Sequence, residues 1–253
     1  LTGHTEIDVA IEAINHGQIY RLMTKPWDDH ELRATVRQAL DDWSMREEIR
    51  RLHPGHAFLA EESGASGSNE TVWIIDPLDG TTNFLHGFPA YAVSIAAALD
   101  GVLLAAAVLH VPLDRLTTAV RGGGTVERGR PVRVSPITEP EHALIGTGFP
   151  FRDFDRLDEY VAQFRRVVLG STGIRRPGSA AIDLADVAAG RFEGFWEQRL
   201  SAWDIAAGIL LVREAGGRVT DREGRDLGVE HGEVVAGNPP IHDWLLGAVR
   251  GGR

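Results

Sequence analysis

The run Trp73–Phe84 constrains the fold more than any other part of this chain, because a β-like segment changes within it into the start of a helix. The apolar residues Val72–Ile75 predict a strand. Pro77 cannot donate a ladder hydrogen bond, so it predicts the end of that strand. Gly80, followed by two threonines, predicts the first turn of a helix. With the strands and helices predicted after it, this junction favours a mixed α/β fold.

Two aspartates, Asp76 and Asp79, stand three residues apart at this junction. Carboxylate oxygens suit a hard divalent cation such as magnesium. The N–H groups at the start of the following helix, Gly80-Thr81-Thr82, suit an anion. A metal site beside a phosphate site is typical of a phosphoesterase, so the junction predicts that activity.

Two further carboxylate elements flank the run. Upstream, Glu61-Glu62-Ser63 follows the apolar residues Phe58–Ala60. Downstream, Asp204 stands at the head of an alanine-rich segment, and Gly216-Gly217 predicts the end of that helix.

Together these elements resemble the inositol monophosphatase family, whose two signatures correspond to Trp73–Phe84 and Trp203–Gly217. The Glu-Glu-Ser element stands at the expected distance before the first signature. The resemblance covers residues 47–253. It implies an α/β (α+β) fold in α-β-α-β-α layers, and a phosphatase in which water attacks the phosphate directly, without a phosphoenzyme.

The predicted metal ligands are the carboxylates of Glu61, Asp76, Asp79 and Asp204, and the resemblance adds the backbone carbonyl of Leu78. Converging carboxylates repel one another and raise each other's pKa values, and two or three magnesium ions would relieve that repulsion. The resemblance also implies inhibition by lithium. From the residues alone, Asp79 and Asp204 have an alternative role as helix N-caps.

The residues assigned to catalysis are Glu61, Thr81 and Asp79, with Thr81 orienting the attacking water and Glu61 as its base-like partner. Glu62 is expected to support the site without binding the metal. Ser179 has an alternative role as an N-cap, and Glu197 as a surface carboxylate. The predicted substrate-binding residues are Gly80, Thr81, Thr82, Gly178, Ser179, Ala180 and Glu197.

The substrate class follows from the residues after Asp79-Gly80-Thr81. Thr82-Asn83-Phe84 resembles the inositol monophosphatase branch, whereas the nucleotide branch commonly has lysine at the position of Thr82. The expected substrate is therefore myo-inositol monophosphate or a related polyol or sugar phosphate, and the resemblance implies a homodimer. Two alternatives stay open: an inactive protein, and a signalling fusion regulated by a receiver domain.

Residues 1–45 resemble the last third of a two-component receiver domain, with Thr2 and Lys25 at the positions that contact the phosphorylated aspartate in that family. The phosphoacceptor aspartate is absent, so we expect a remnant and not a working switch. A fusion whose first half lies outside this sequence is the alternative. The predicted domains are 1–45, receiver-like, and 46–253, phosphatase-like and truncated at its N-terminus.

Composition excludes several other classes. The 253 residues carry a formal net charge of −10 at pH 7, which disfavours nonspecific binding to nucleic acid. The absence of cysteine excludes disulfides and thiol chemistry and is compatible with the cytoplasm, which is the predicted location. The longest apolar run, Ala92–Val111, is broken by Asp100-Gly101, which predicts a hairpin and not a membrane span. The histidines show no zinc-ligand spacing.

Two motifs have no assigned role. Gly146–Pro150 is glycine-rich but lacks the spacing and the lysine of a nucleotide loop, so we reject that function. Arg175-Arg176 is a solvated pair, a subunit contact or part of a rim. The other predicted strands are 90–98, 102–111, 116–119, 131–134, 143–146, 194–197, 218–220 and 233–236, and the helices are 154–169, 180–189, 204–215 and 241–249.

Overall fold

The computed structural model describes residues 44–61, 64–67, 70–150, 154–229 and 232–251. Within these residues the chain forms two β-sheets, with helices between them and on their outer faces. This is a mixed α/β fold of alternating sheets and helices, as the sequence predicts.

The larger sheet is mostly antiparallel. Its strands are β1 (Ala57–Ala60), β2 (Gly64–Ser66), β3 (Thr71–Asp79), β4 (Ala92–Leu99), β5 (Val102–His110), β6 (Arg115–Val120), β7 (Gly124–Glu127) and β8 (Arg130–Val132). They lie in the order β2-β1-β3-β4-β5-β6-β7-β8, and only β1 and β3 pair in parallel. Strands β4 and β5 are the hairpin predicted from Asp100-Gly101, and Asp100 has the left-handed backbone (φ 49°) that such a turn requires.

The smaller sheet and the helices complete the described fold. The strands are β9 (Leu144–Thr147), β10 (Gly173–Arg175), β11 (Gly194–Leu200), β12 (Arg218–Thr220) and β13 (Gly232–Gly237), in the order β10-β9-β11-β13-β12. The α-helices are α1 (44–52), α2 (Thr81–Leu85), α3 (Leu157–Gly170), α4 (Ala180–Ala188), α5 (Ala202–Glu214) and α6 (Pro239–Arg250). Short 3₁₀ helices are Val111–Leu113, Pro140–His142 and Phe154–Arg156.

Helices α4 and α5 lie between the two sheets at the centre of the main core. All nine residues of α4 are buried, which explains a composition of small and apolar side chains with no exposed polar face. A side chain at Gly208 of α5 would clash with Leu184 of α4, so glycine permits the close approach of the two helices. This packing brings the first turns of both helices to the C-terminal end of β3.

The outer faces of the sheets are covered by the remaining long helices. Met45 and Ile49 of α1 pack on Phe58 and Ile75 of the larger sheet. Helices α3 and α6 pack on the smaller sheet, where Trp196 of β11 faces them. A strand presents successive side chains to opposite faces. Because Trp196 points outward, the residues directly before and after it in β11 point toward the core between the sheets.

Pro77 does not end its strand, contrary to the prediction. Strand β3 continues to Asp79, and its register with β4 shifts between Asp76 and Asp79, where β3 carries one residue more than the segment opposite. This is a β-bulge, and a bulge tolerates proline because the bulged residue need not donate to the ladder.

Other differences concern short elements. Strands β1, β2, β7 and β10 were not predicted, because segments of three or four residues carry too little periodicity to show in the sequence. Helix α3 begins at Leu157 and not at Phe154, since 3₁₀ geometry occupies residues 154–156. Helix α5 begins at Ala202, two residues before the predicted Asp204.

The receiver-like interpretation of residues 1–45, including Thr2 and Lys25, falls almost entirely on residues outside the described ranges. Glu62 and Ser63 also lie outside them. Among the helices that the structure describes, none is long and apolar enough to span a bilayer.

Candidate active site

The bulge in β3 explains how two aspartates three positions apart serve one site. Ile74 faces the core between the sheets and Ile75 faces α1, so Asp76 points to the same side as Ile74. In a regular strand Asp79 would point to the opposite face. The extra residue of the bulge reverses that alternation, and Asp76 and Asp79 lie together.

Asp204 completes the cluster from the first turn of α5. One carboxylate oxygen from each of Asp76, Asp79 and Asp204 lies within 4.8 Å of the others. The carboxylate of Asp204 is held by Ser201, whose N–H donates to Asp204 Oδ2 at 2.6 Å. Glu61, just after β1, lines the same cleft. Neither aspartate is an N-cap, since Gly80 and Ser201 occupy those positions, but Asp204 is the N3 residue of a capping box with Ser201.

The cluster is electrostatically strained. Asp76 is 1% exposed, and burial, followed by the negative charges of Asp79, Glu61 and Asp204, raises the pKa of its carboxyl well above the usual range. Burial also raises the pKa of Asp79, against the opposing effect of hydrogen bonds from Ser179 and the first turn of α4. A bound cation relieves this strain.

A divalent cation fits these residues. Three buried or half-buried carboxylates converge here, and hard oxygen donors are the ligands that magnesium prefers. The cluster would hold the cation through Asp76, Asp79 and Asp204. The predicted ligands Glu61 and Leu78 line the same cleft.

The turn after β3 is built around the Leu78 carbonyl. The Leu78 N–H donates to Asp76 Oδ1 at 2.9 Å, and Thr81 Oγ1 donates to the Leu78 carbonyl at 3.0 Å. Thr81 and Thr82 occupy the first turn of α2, where a helix leaves N–H groups without intrahelical acceptors, and both line the cleft. These N–H groups are suited to phosphate oxygens.

Ser179 occupies the N-cap position given above as its alternative role. It is the N-cap of α4, with Oγ accepting from the Ile182 N–H at 3.3 Å, and it also donates to Asp79 Oδ2 at 2.6 Å. The Ala181 N–H donates to the same oxygen at 2.8 Å. Ser179 is not among the residues that line the cleft, whereas its neighbours Gly178 and Ala180 are. Its contacts are those of a residue that orients a metal ligand.

Glu197 lines the cleft from strand β11. In β11 it follows Trp196, which faces outward, so Glu197 points toward the core between the sheets, as its paired residue Val234 does. Its carboxylate sits directly against Gly148, where any Cβ would overlap it. The surface-carboxylate alternative is therefore wrong.

The cleft has a volume of about 360 Å³, large enough for a monosaccharide-sized polyol phosphate. Sequence reasoning left Arg176 undecided, and the structure places it in the cleft wall with its guanidinium 4.9 Å above the Phe149 ring. The predicted residues in the wall are Glu61, Asp76, Leu78, Asp79, Gly80, Thr81, Thr82, Gly178, Ala180, Glu197 and Asp204. The residues not predicted are Asn83, Phe149, Pro150, Arg176, Gln198, Arg199 and Leu200.

Asn83 belongs to the run Trp73–Phe84 and Arg176 to the undecided pair Arg175-Arg176, so both lie in segments that the sequence analysis singled out. Arg199 has a left-handed backbone (φ 59°) at the irregular end of β11. No local sequence pattern predicts this conformation. Phe149 and Pro150 belong to the segment rejected as a nucleotide loop.

Asp183 is a buried carboxyl outside the metal cluster. It is 1% exposed, and neither oxygen has a hydrogen-bond partner among the described residues. Burial raises its pKa well above the usual range, and the negative charges of Glu197, Asp186 and Asp79 add to the shift, while Arg176 opposes it.

We expect Asp183→Asn to flatten the pH dependence of stability. Above the ordinary aspartate pKa the unfolded chain releases this proton while the folded protein keeps it, so the free energy of unfolding falls as pH rises toward the folded pKa. Asparagine does not titrate, and the variant lacks this loss. Thermal melts across acidic to mildly alkaline pH test this, with Asp100→Asn in the exposed β4–β5 turn as control. If the melting temperatures of wild type and Asp183→Asn changed with pH in the same way, the prediction would be contradicted.

A buried carboxylate cluster that can hold a divalent cation, beside helix first turns that suit an anion, is the arrangement of a metal-dependent phosphatase. The sequence profile of the Inositol monophosphatase family matches residues 30–252, and the chain belongs to that family. The match begins within the predicted receiver-like segment, for which the comparisons give no support, and the domain boundary at residue 45 stays a prediction.

Known proteins resemble the chain over most of its length. A Pseudomonas aeruginosa protein named Nus factor SuhB is 50% identical over 80% of this chain and 77% of its own. An inositol-1-monophosphatase of Mesorhizobium japonicum is 47% identical over 80% and 77%. A crystal structure of extragenic suppressor protein suhB from Bartonella henselae superposes with a TM-score of 0.80 at 43% identity, covering 84% of each chain.

Proposed function

We propose that this protein is a magnesium-dependent phosphomonoesterase that hydrolyses myo-inositol monophosphate or a related polyol or sugar phosphate. The observation that carries the proposal is the convergence of Asp76, Asp79 and Asp204 within 4.8 Å at the wall of a cleft that also contains the first turn of α2. Membership of a phosphatase family and the name of the Mesorhizobium relative support it. Two or three magnesium ions are expected, with lithium as an inhibitor.

Each part of the cleft has a distinct role in this proposal. When bound, the metal supplies a Lewis acid and lowers the pKa of coordinated water. The first-turn N–H groups of Thr81 and Thr82 bind phosphate oxygens. Thr81 Oγ1 and Glu61 orient the attacking water, and Glu197, held against Gly148, receives hydroxyl groups of the polyol.

The polyol side of the cleft supports a small hydroxylated substrate. Gly178 and Ala180 leave space beside Glu197, and a carboxylate is a strong acceptor for hydroxyl donors. A homodimer and a cytoplasmic location stay predictions, as does the alternative of an inactive or receiver-regulated fusion.

Phosphate release from myo-inositol 1-phosphate is expected to require magnesium, to stop when the metal is chelated, and to resume when it is restored. Lithium is expected to inhibit the magnesium-supported reaction. Fructose 1,6-bisphosphate and adenosine 3′,5′-bisphosphate, assayed in parallel, discriminate the substrate class. A folded sample that binds magnesium but releases phosphate from none of these substrates would favour the inactive alternative, and preference for the adenosine compound would overturn the polyol assignment.

A further inference from the structure

Asn83 joins two segments of the site that are distant in the sequence. Its Nδ2 lies 2.6 Å from the Ala90 carbonyl, 2.8 Å from the Pro177 carbonyl and 3.2 Å from the Gly178 carbonyl. Three carbonyl oxygens around one nitrogen fix the orientation of the amide, since only its NH₂ group can donate to them. The side chain therefore ties helix α2 to the segment 177–181 that leads into α4.

The same two segments are joined a second time through a predicted metal ligand. Ser179 Oγ and the Ala181 N–H both donate to Asp79 Oδ2. Pro177 and Gly178, which Asn83 holds, immediately precede Ser179 in the chain. The position of the Asp79 donors consequently depends on contacts that Asn83 makes.

The backbone packing leaves little freedom at this junction. A Cβ at Gly178 would lie 3.0 Å from Asn83 Nδ2, and a Cβ at Gly80 would lie 3.4 Å from the Gly178 carbonyl oxygen. The segments are in contact at two glycines, so a shift of one is transmitted to the other.

We propose that Asn83 is a positioning residue that holds the segment 177–181 so that Ser179 and Ala181 orient Asp79 for divalent-cation binding, and that it thereby couples metal affinity to the polyol subsite at Gly178 and Ala180. The proposal rests on the proposed function for its polyol half and on the carboxylate cluster alone for its metal half. Groups that orient metal ligands typically change metal affinity by about 10- to 100-fold when removed.

The test compares Asn83→Ala with Asn238→Ala. Asn238 is a matched control because its Nδ2 also donates to backbone carbonyls, those of Ser135 at 3.0 Å and Ile137 at 2.8 Å, outside the cleft wall. Mn²⁺ affinity is measured by calorimetric titration, and KM and kcat with myo-inositol 1-phosphate. Asn83→Ala is expected to weaken Mn²⁺ binding roughly tenfold and to raise KM, whereas Asn238→Ala lowers the melting temperature without either effect.

A double-mutant cycle with Ser179→Ala supplies a second readout. If Asn83 and Ser179 both act through Asp79, the fold-loss of Mn²⁺ affinity in the double variant is smaller than the product of the two single fold-losses. In the control cycle of Asn238→Ala with Ser179→Ala, the fold-loss in the double variant equals that product. If Asn83→Ala does not fold, Asn83→Ser replaces it, since the uncharged hydroxyl keeps a single donor at this position but cannot donate to carbonyls of both segments.

Unchanged Mn²⁺ affinity in folded Asn83 variants, or multiplicative losses in the Asn83–Ser179 cycle, would overturn the proposal. Altered Mn²⁺ affinity in a protein that hydrolyses none of the substrates would instead leave the positioning role intact and reject the proposed function. The two failures are thus distinguishable.

Discussion

Asp79→Asn is expected to reduce kcat/KM for myo-inositol 1-phosphate by roughly a thousandfold or more. The substitution preserves the side-chain shape but removes the negative charge that a divalent cation requires. Stabilisation by a Lewis acid is worth several kcal/mol, and each ~1.4 kcal/mol corresponds to about tenfold in rate.

The same substitution is expected to leave the metal-free protein at least as stable as wild type. Burial raises the pKa of Asp79, so its ionised form opposes folding in the absence of a cation. Asp243→Asn, at an exposed carboxylate of α6, serves as control and should change neither property. Steady-state kinetics with magnesium and melting curves in chelator measure both effects. Activity within tenfold of wild type would contradict the assignment of Asp79 as a metal ligand.

Gly80→Ala is expected to cost about 2 kcal/mol of folding free energy and to reduce activity by about a hundredfold or more. Gly80 has φ 86°, and its added Cβ would lie 2.7 Å from the Ala90 carbonyl oxygen and 3.3 Å from Tyr91 Cα. Both are backbone atoms, which cannot turn aside as a side chain can. The displaced turn carries Asp79 on one side and Thr81 on the other.

Gly87→Ala separates the effect of the positive φ from the effect of the contact with Ala90. Gly87 also has a positive φ, of 67°, but its Cβ would meet nothing within 4 Å. It should therefore show the loss of stability from backbone strain alone and keep near-normal activity. Denaturant unfolding and steady-state kinetics on both variants measure the difference, and equal activities would show that the contact with Ala90 is unimportant.

The sequence was most informative where chemistry is local. The carboxylates and the turn Gly80-Thr81-Thr82 could be assigned because residue types and spacing match a family pattern, and the structure brings them to one cleft. Ser179 shows the limit of that approach. Its place before α4 was visible as an N-cap, but its bond to Asp79, a hundred residues away in the chain, was not.

The receiver-like interpretation of residues 1–45 shows a different limit. It rested on two short motifs, Leu1–His4 and Thr24–Trp27, without the elements that give such motifs a structural context. The family match that begins at residue 30 overlaps this segment. A short motif carries far less information than signatures that agree over most of a chain.

The sequence by itself indicated a mixed α/β fold and the carboxylates predicted to bind metal, because both depend on residue type and periodicity along the chain, and the family resemblance added the layered arrangement. Only the tertiary structure decided that Asp76 and Asp79 face the same side, since strand alternation alone separates them and the pairing with β4 creates the bulge. It also decided that Ser179 donates to Asp79 and that Asn83 donates to the carbonyls of Pro177 and Gly178, just before α4. Those contacts exist because α4 and α5 pack between the sheets, and nonlocal packing leaves no local periodic signal.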